Sequence, residues 1–201
     1  RGLTANTVVC IVSDHGENLS MDPEPRWDHG TSCDEQLIRV PLLLAGPGVP
    51  AGKRDAAIAQ HVTPDTAAVI VEPIQGVGGA FDLGAPFLQA LRQRCDEVGA
   101  LLVFDEVQCG MGRSGHAFAA DLYSVRPDMI TTAKALGNGF PCAALLMTPR
   151  VTKAVRMETL GTTFGGGPMA CAAIEAVIEA IEREDLLANV RRVSQYIRET
   201  C

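Results

Sequence analysis

No run of apolar residues in this chain approaches the roughly 20 that a membrane-spanning helix requires, so no membrane partner is expected. The chain also lacks a C-x-x-C pair. Its seven cysteines (Cys10, Cys33, Cys95, Cys109, Cys142, Cys171 and Cys201) are odd in number and unpatterned, which argues against a disulfide framework or a zinc site. Reduced thiols and the lack of a signal peptide predict a cytoplasmic protein, and the start at Arg1 in place of methionine points to sequence missing upstream. There is no basic patch: residues 1–62 hold 5 basic and 8 acidic side chains, and the remainder 12 and 16, for a net charge of -7. Nucleic acid is therefore not an expected partner. Internal repeats, low-complexity tracts and glycine- or serine-rich linkers are absent too.

What is present has the composition of a globular protein, 47% hydrophobic and 20% charged, and 201 residues suffice for one large domain or two small ones. Thr7–Val12 (TVVCIV) and Val40–Ala45 (VPLLLA) read as short buried strands, each ending in a loop. From Thr66 onwards strands and helices alternate. Strands are predicted at Ala67–Val71, Leu101–Asp105, Met129–Thr132 and Ala143–Met147, with glycine-rich loops at Gln75–Gly84 and Gln108–Gly115. A helix over Phe87–Val98 has Phe87, Leu88, Leu91, Cys95 and Val98 along one face. A long helix opens at Pro168, a residue suited to a first helical position, and runs through Ala172, Ile174, Val177, Ile178 and Ile181. A more polar helix follows at Leu186–Ile197. This alternation predicts an α/β fold with a mainly parallel sheet and helices on both faces.

Three stretches of residues 63–201 carry chemistry together. In LLVFDEVQCG an apolar strand ends at Asp105, and ligands of open parallel sheets sit beyond such carboxyl ends, which directs Asp105 and Gln108 towards a crevice. In DMITTAKALGNG another strand is followed closely by Lys134, and a desolvated lysine can act as an amine nucleophile towards carbonyls. In GTTFGGGP two hydroxyls and exposed backbone N–H groups lead into a helix, a setting that can bind phosphate. An imine-forming lysine, a carboxylate for a pyridinium nitrogen and a phosphate site together point to pyridoxal phosphate. Taken singly, an aspartate at a strand end is more often a cap, and a lysine after a strand more often a solvated side chain.

In order and spacing, VEPIQG, FDEVQCGMGRSG, TTAKALGNGFP and GTTFGGGPMAC resemble the class III pyridoxal-phosphate aminotransferases, acetylornithine and ornithine aminotransferases above all. The resemblance covers about residues 63–201 and implies part of the large domain of a fold-type I enzyme. It implies Lys134 as the catalytic Schiff-base lysine, Asp105 as the pyridinium partner and Gln108 near the ring hydroxyl. Thr163, with Thr162 beside it, would meet the phosphate of a neighbouring subunit in a homodimer. Glu72, at a strand end in a matched motif, is a further cofactor-site candidate, and a role in the sheet edge suits it equally. Cys109 carries no sign of activation. Where the family reads EPIQGEGG, this chain reads EPIQGVGG, so the resemblance implies that Val77 replaces an acidic side chain that helps gate the substrate site. The family's substrate-binding arginine and the upstream half of its large domain find no counterpart in the chain.

Residues 1–62 read differently. VVCIVSDHGE places Asp14 and His15 at the end of a strand, where carboxylate and imidazole can ligate a divalent cation that activates a phosphate or sulfate ester; from the pair alone a strand-ending turn is the simpler reading. VSDHGE, WDHGTSCDEQLIRVPLLLAGPG and AIAQHV in series resemble the C-terminal part of the sulfatase catalytic domain, in the alkaline-phosphatase-like superfamily, over about residues 3–62. The resemblance implies Asp14 and His15 as ligands of calcium, magnesium or manganese, and His29 as a substrate contact. No cysteine or serine here sits in the C/S-x-P-x-R motif that carries that family's nucleophile.

The expected organisation is thus a sulfatase-like fragment over 1–62 joined to an aminotransferase large-domain fragment over 63–201. Its expected ancestral activity is amino-group transfer from an acetylornithine- or ornithine-like donor to 2-oxoglutarate, with an amino acid and a 2-oxo acid as partners, impaired in a chain with both domains incomplete. The alternatives are a metal-dependent ester hydrolase and a non-catalytic chimeric remnant. With so few strands to cover each core, stability is expected to be marginal.

Overall fold

A computed structural model of the chain describes residues 58–77, 79–156 and 161–200, and residues 9–11 by their backbone. They fall into two units, Arg1–Ala100 and Leu101–Cys201, a division of packing that lies within residues 63–201. The predicted strand Val40–Ala45 and the ends of Thr7–Val12 lie outside the described residues.

In the first unit the β-branched run AVIV forms β2 (Ala68–Val71), which pairs parallel with β1 (Val9–Ile11) in the register Val9↔Ala68, Cys10↔Val69 and Ile11↔Ile70. Val69 and Val71 alternate inward and are fully buried. The predicted loop Gln75–Gly84 is in part a hairpin. β3 (Ile74–Gln75) and β4 (Phe81–Asp82) pair antiparallel, because the backbone carbonyl of Gly76 accepts hydrogen bonds from Gly79 N and Ala80 N and turns the chain back. Helix α1 (Ala85–Val98) begins two residues before the predicted start, with proline in its first turn, where a missing N–H costs nothing. It ends at Gly99, whose φ of 81° is a left-handed conformation that glycine adopts without a Cβ penalty. Phe87, Leu88, Leu91 and Cys95 are buried along the predicted face. Arg94 Nε donates to the carbonyl of Val62, tying α1 to the helical turn at residues 58–61.

The second unit is built on β5 (Leu101–Asp105) and β6 (Met129–Thr132), paired parallel with Val103↔Met129, Phe104↔Ile130 and Asp105↔Thr131. Strand β7 (Ala144–Met147) pairs antiparallel with β6, the exception to an otherwise parallel expectation. Its connection holds only a 3-10 turn (Lys134–Leu136), and a parallel return needs a crossover of a dozen or more residues, usually helical. Two short helices went unforeseen, α2 (Ala119–Tyr123) and α3 (Pro149–Thr152). Each lacks the length for an amphipathic period, so no sequence pattern announces it.

Two buried carboxylates brace this unit. Asp128 accepts from Leu102 N at 2.8 Å and from Arg150 Nη1 at 3.2 Å, stapling the entry of β6 to the start of β5. Glu106, with no solvent exposure, accepts from Ala119 N at 2.6 Å and Ala120 N at 2.9 Å. Those are two of the N–H groups that the start of α2 leaves without helical partners. Burial pushes the Glu106 carboxyl up from its ordinary range, and the two backbone N–H bonds oppose that only in part.

The C-terminal helices α4 (Pro168–Arg183) and α5 (Leu186–Thr200) begin where the sequence places them, and α5 runs three residues further than predicted. The expected covering of the sheet by α4 is incomplete, and neither helix buries a residue. Ile174, Ile178 and Ile181 line a cavity of about 380 Å³ together with Thr132, Leu136 and Leu146. Arg191 donates through Nη1 to the carbonyl of Gly115, fixing α5 to the loop after β5.

Leu91→Ala should cost about 2–5 kcal/mol in a urea titration, whereas Tyr196→Ala, on an exposed face, should stay within about 0.5 kcal/mol of the parent. Because the folded pKa of Glu106 lies above its unfolded value, its contribution is full below the unfolded pKa and is lost as pH rises through the folded one. The urea midpoint of the parent relative to Glu106→Gln should therefore shift in the parent's favour as pH falls from 7 towards 5.

Candidate functional site

The parallel register of β5 and β6 brings Asp105 opposite Thr131, so both strands deliver their following residues to the same sheet edge. Asp105, half-buried, closes an Asx turn in which its Oδ1 accepts from Val107 N at 3.0 Å. The turn continues through a hydrogen bond from Gly110 N to the Glu106 carbonyl at 3.0 Å, which presents Gln108 on its outer side. Glu106 N in turn donates to the Thr131 carbonyl at 2.9 Å, extending the ladder one residue past β5.

From β6 the chain passes through Ala133 to Lys134, whose φ of 47° is unusual for a side chain of that size. Strained backbone of this kind persists only where the surroundings hold it, and it clusters at functional sites. Here the 3-10 turn holds it, with Gly137 N bonded to the Lys134 carbonyl at 3.3 Å. Gly137 admits no larger residue, since a Cβ there would lie 2.5 Å from Cys142 Sγ and against the Phe140 carbonyl. The result is that the exposed Lys134 Nζ donates to Gln108 Oε1 at 3.0 Å. An amine, an amide and a carboxylate thus share the carboxyl ends of two parallel strands. The Thr131 hydroxyl, buried and without a protein partner, stands across from Asp105.

The other sequence candidates sit elsewhere. Thr162 and Thr163 are exposed in the turn before α4, where Thr162 Oγ1 accepts from Gly165 N at 3.2 Å, and no described contact joins them to the Lys134–Gln108 pair. Glu72 is buried in the first unit with its Oε2 accepting from Gly76 N at 3.1 Å, a brace of the β3–β4 hairpin loop. Val77, in the same loop, is 61% exposed. Asp14, His15 and His29 lie outside the described residues, and among the described residues no three His, Cys, Asp or Glu side chains cluster to hold a metal. Cys109 is buried with its Sγ 3.8 Å from the Asp105 carbonyl.

Sequence reading passed over Glu106. The signal was available: neighbouring residues at a strand end point to opposite faces, so if Asp105 faces the crevice, Glu106 must face the interior and needs partners there.

The family described as "Aminotransferase class-III" matches residues 52–200, and the family "Sulfatase" matches residues 1–68, so the two overlap over 52–68. The mitochondrial acetylornithine aminotransferase of Yarrowia lipolytica is 44% identical over 182 residues, 90% of this chain and 41% of that protein. That alignment is longer than residues 52–200 and so runs into the segment that the sulfatase family also matches. Among solved structures, N-acetylornithine aminotransferase from Stenotrophomonas maltophilia K279a superposes with a TM-score of 0.62 at 40% identity, over 75% of this chain and 38% of the other. A taurine:2-oxoglutarate aminotransferase from Bifidobacterium kashiwanohense, solved in complex with PLP and glutamate, superposes with a TM-score of 0.68 at 28% identity, over 77% and 37%. The chain spans less than half the length of each of these proteins. With the alternating strands, the lysine and carboxylate at one sheet edge and a family match over well more than half of its length, the chain belongs to the class-III aminotransferases.

Proposed function

We propose that residues 63–201 form the cofactor-binding portion of an aminotransferase that uses pyridoxal phosphate to move an amino group from an acetylornithine- or ornithine-like donor to 2-oxoglutarate. The observation that carries this reading is the bond from Lys134 Nζ to Gln108 Oε1 at the strand end that Asp105 closes. The donor set suits that cofactor group by group. A primary amine is available for its aldehyde, a carboxylate for its pyridinium nitrogen, a neutral amide for its ring hydroxyl, and the Thr162–Thr163 turn for its phosphate. The acetylornithine aminotransferase relatives and the glutamate complex of a 2-oxoglutarate-dependent relative support the substrate classes.

When bound, pyridoxal phosphate supplies an electron sink for the pair of electrons left when a substrate's α-proton departs. This chain's residues supply the rest. Asp105 would hold a proton at the ring nitrogen by charge, and its Asx turn fixes the carboxylate before any ligand arrives. Gln108, a neutral acceptor, orients the Lys134 amine without neutralising it. The Lys134 amine would be the base placed to carry the α-proton. Val77, exposed where the family carries an acidic gate, leaves substrate selection on this loop to shape rather than charge. Two copies of the chain would complete the site, with Thr162 and Thr163 of one serving the phosphate bound by the other.

Residues 1–62 carry a second proposal, supported by the sulfatase match over 1–68: a metal-dependent ester-hydrolase fragment with Asp14 and His15 as divalent-metal ligands. Calcium or manganese binding lost in Asp14→Ala would support it, and binding unchanged in that variant would sink it.

The aminotransferase reading is tested by incubating the chain with pyridoxal phosphate, reducing with borohydride and mapping the adduct by mass spectrometry. A single adduct at Lys134, lost in Lys134→Ala, is expected. Label scattered over other lysines, or none, would leave the chain a non-catalytic remnant of its family.

A further inference from the structure

Glu106 lies between the two cofactor-site residues of β5's end, yet both of its oxygens accept from backbone N–H groups of α2, at 2.6 and 2.9 Å. It is fully buried, so it meets neither solvent nor substrate. Its backbone is held from both sides, by the Thr131 carbonyl at 2.9 Å and by Gly110 N at 3.0 Å. The loop is packed to contact around it. A Cβ on Gly110 would fall 2.7 Å from the Glu106 carbonyl oxygen and 3.1 Å from its Cβ, and Cys109 Sγ sits 4.0 Å from Oε2. Gln108 rides on this loop, and its bond from Lys134 is its one side-chain hydrogen bond among the described residues. The place of the Gln108 amide is therefore set by the loop backbone, and the loop backbone is set by what Glu106 grips.

We infer that Glu106 is the positioning residue of the Lys134–Gln108 pair, a buried carboxylate that anchors residues 105–110 to the start of α2 and so holds Gln108 Oε1 where Lys134 Nζ meets it. The inference rests on the cofactor reading of that pair. Glu106 acts through Gln108 and takes no part in proton transfer. Anchoring suits a carboxylate better than an amide. Glutamine in its place keeps one acceptor and turns an NH₂ group against the second backbone N–H, leaving a buried donor without a partner.

The test compares the full chain with Glu106→Gln, Gln108→Ala and the double variant, titrating each with pyridoxal phosphate and scoring the borohydride-fixed adduct at Lys134. Far-UV circular dichroism and hydrogen exchange of the peptide carrying the Ala119 and Ala120 amides accompany the titration. In Glu106→Gln those amides should exchange about tenfold faster, and the half-saturating cofactor concentration should rise about tenfold, with the adduct at saturation still one per chain. In the Gln108→Ala background, Glu106→Gln should add nothing to the half-saturating concentration. An additive effect, or a Glu106→Gln titration that overlays the parent, overturns the inference while leaving the cofactor site intact. No Lys134 adduct in the parent chain fails the cofactor reading itself, and the inference with it. Should Glu106→Gln lose its helical signal, the parent decides by reciprocity: loading with pyridoxal phosphate must slow exchange at Ala119 and Ala120. Unchanged exchange there overturns the coupling.

Discussion

The parallel register of β5 and β6 is the constraint on which the second unit depends. With Asp105 opposite Thr131, two chain segments far apart in sequence leave the sheet at one edge and in one direction. The Asx turn of Asp105, the amide of Gln108 and the amine of Lys134 then lie within a few residues of that exit. A slip of one residue would turn Asp105 inward and bring Glu106 out, exchanging the roles of two carboxylates that share a charge and little else. Glu106 guards against this slip, since its partners at the start of α2 can be reached only from the inner face.

The alternation of apolar runs with helical periods fixed most of the fold in advance. The strands at residues 101–105 and 129–132 and the inner face of α1 stand where pattern placed them. The misses have local physical causes. The β3–β4 hairpin has strands of two residues each, too short for alternation to register, and the direction of β7 is decided by the length of its connection rather than by its own residues. Of the site, Lys134 and Gln108 were legible because strand ends mark crevices, and the structure joins them directly. Glu106 is harder to read, because its partners, two backbone amides thirteen and fourteen residues away, have no side-chain signature.

Helices α4 and α5 show the limit of a hydrophobic period. Ile174, Ile178 and Ile181 repeat at helical spacing, yet they border open space beside Thr132 and Leu136 rather than a filled core. Periodicity states which side of a helix seeks cover and is silent on what supplies it. α1 has its cover: Phe87, Leu88 and Leu91 are sealed, whereas the face of α5 around Tyr196 lies open.

Strand β1 pairs in register with β2 although the two come from segments whose resemblances point to different families. A parallel ladder is made of amides and carbonyls, which every residue but proline supplies alike. It asks of each strand only an extended conformation and side chains that tolerate the pleat. A strand paired through its backbone alone can therefore change widely in sequence without redesign of the interior it borders.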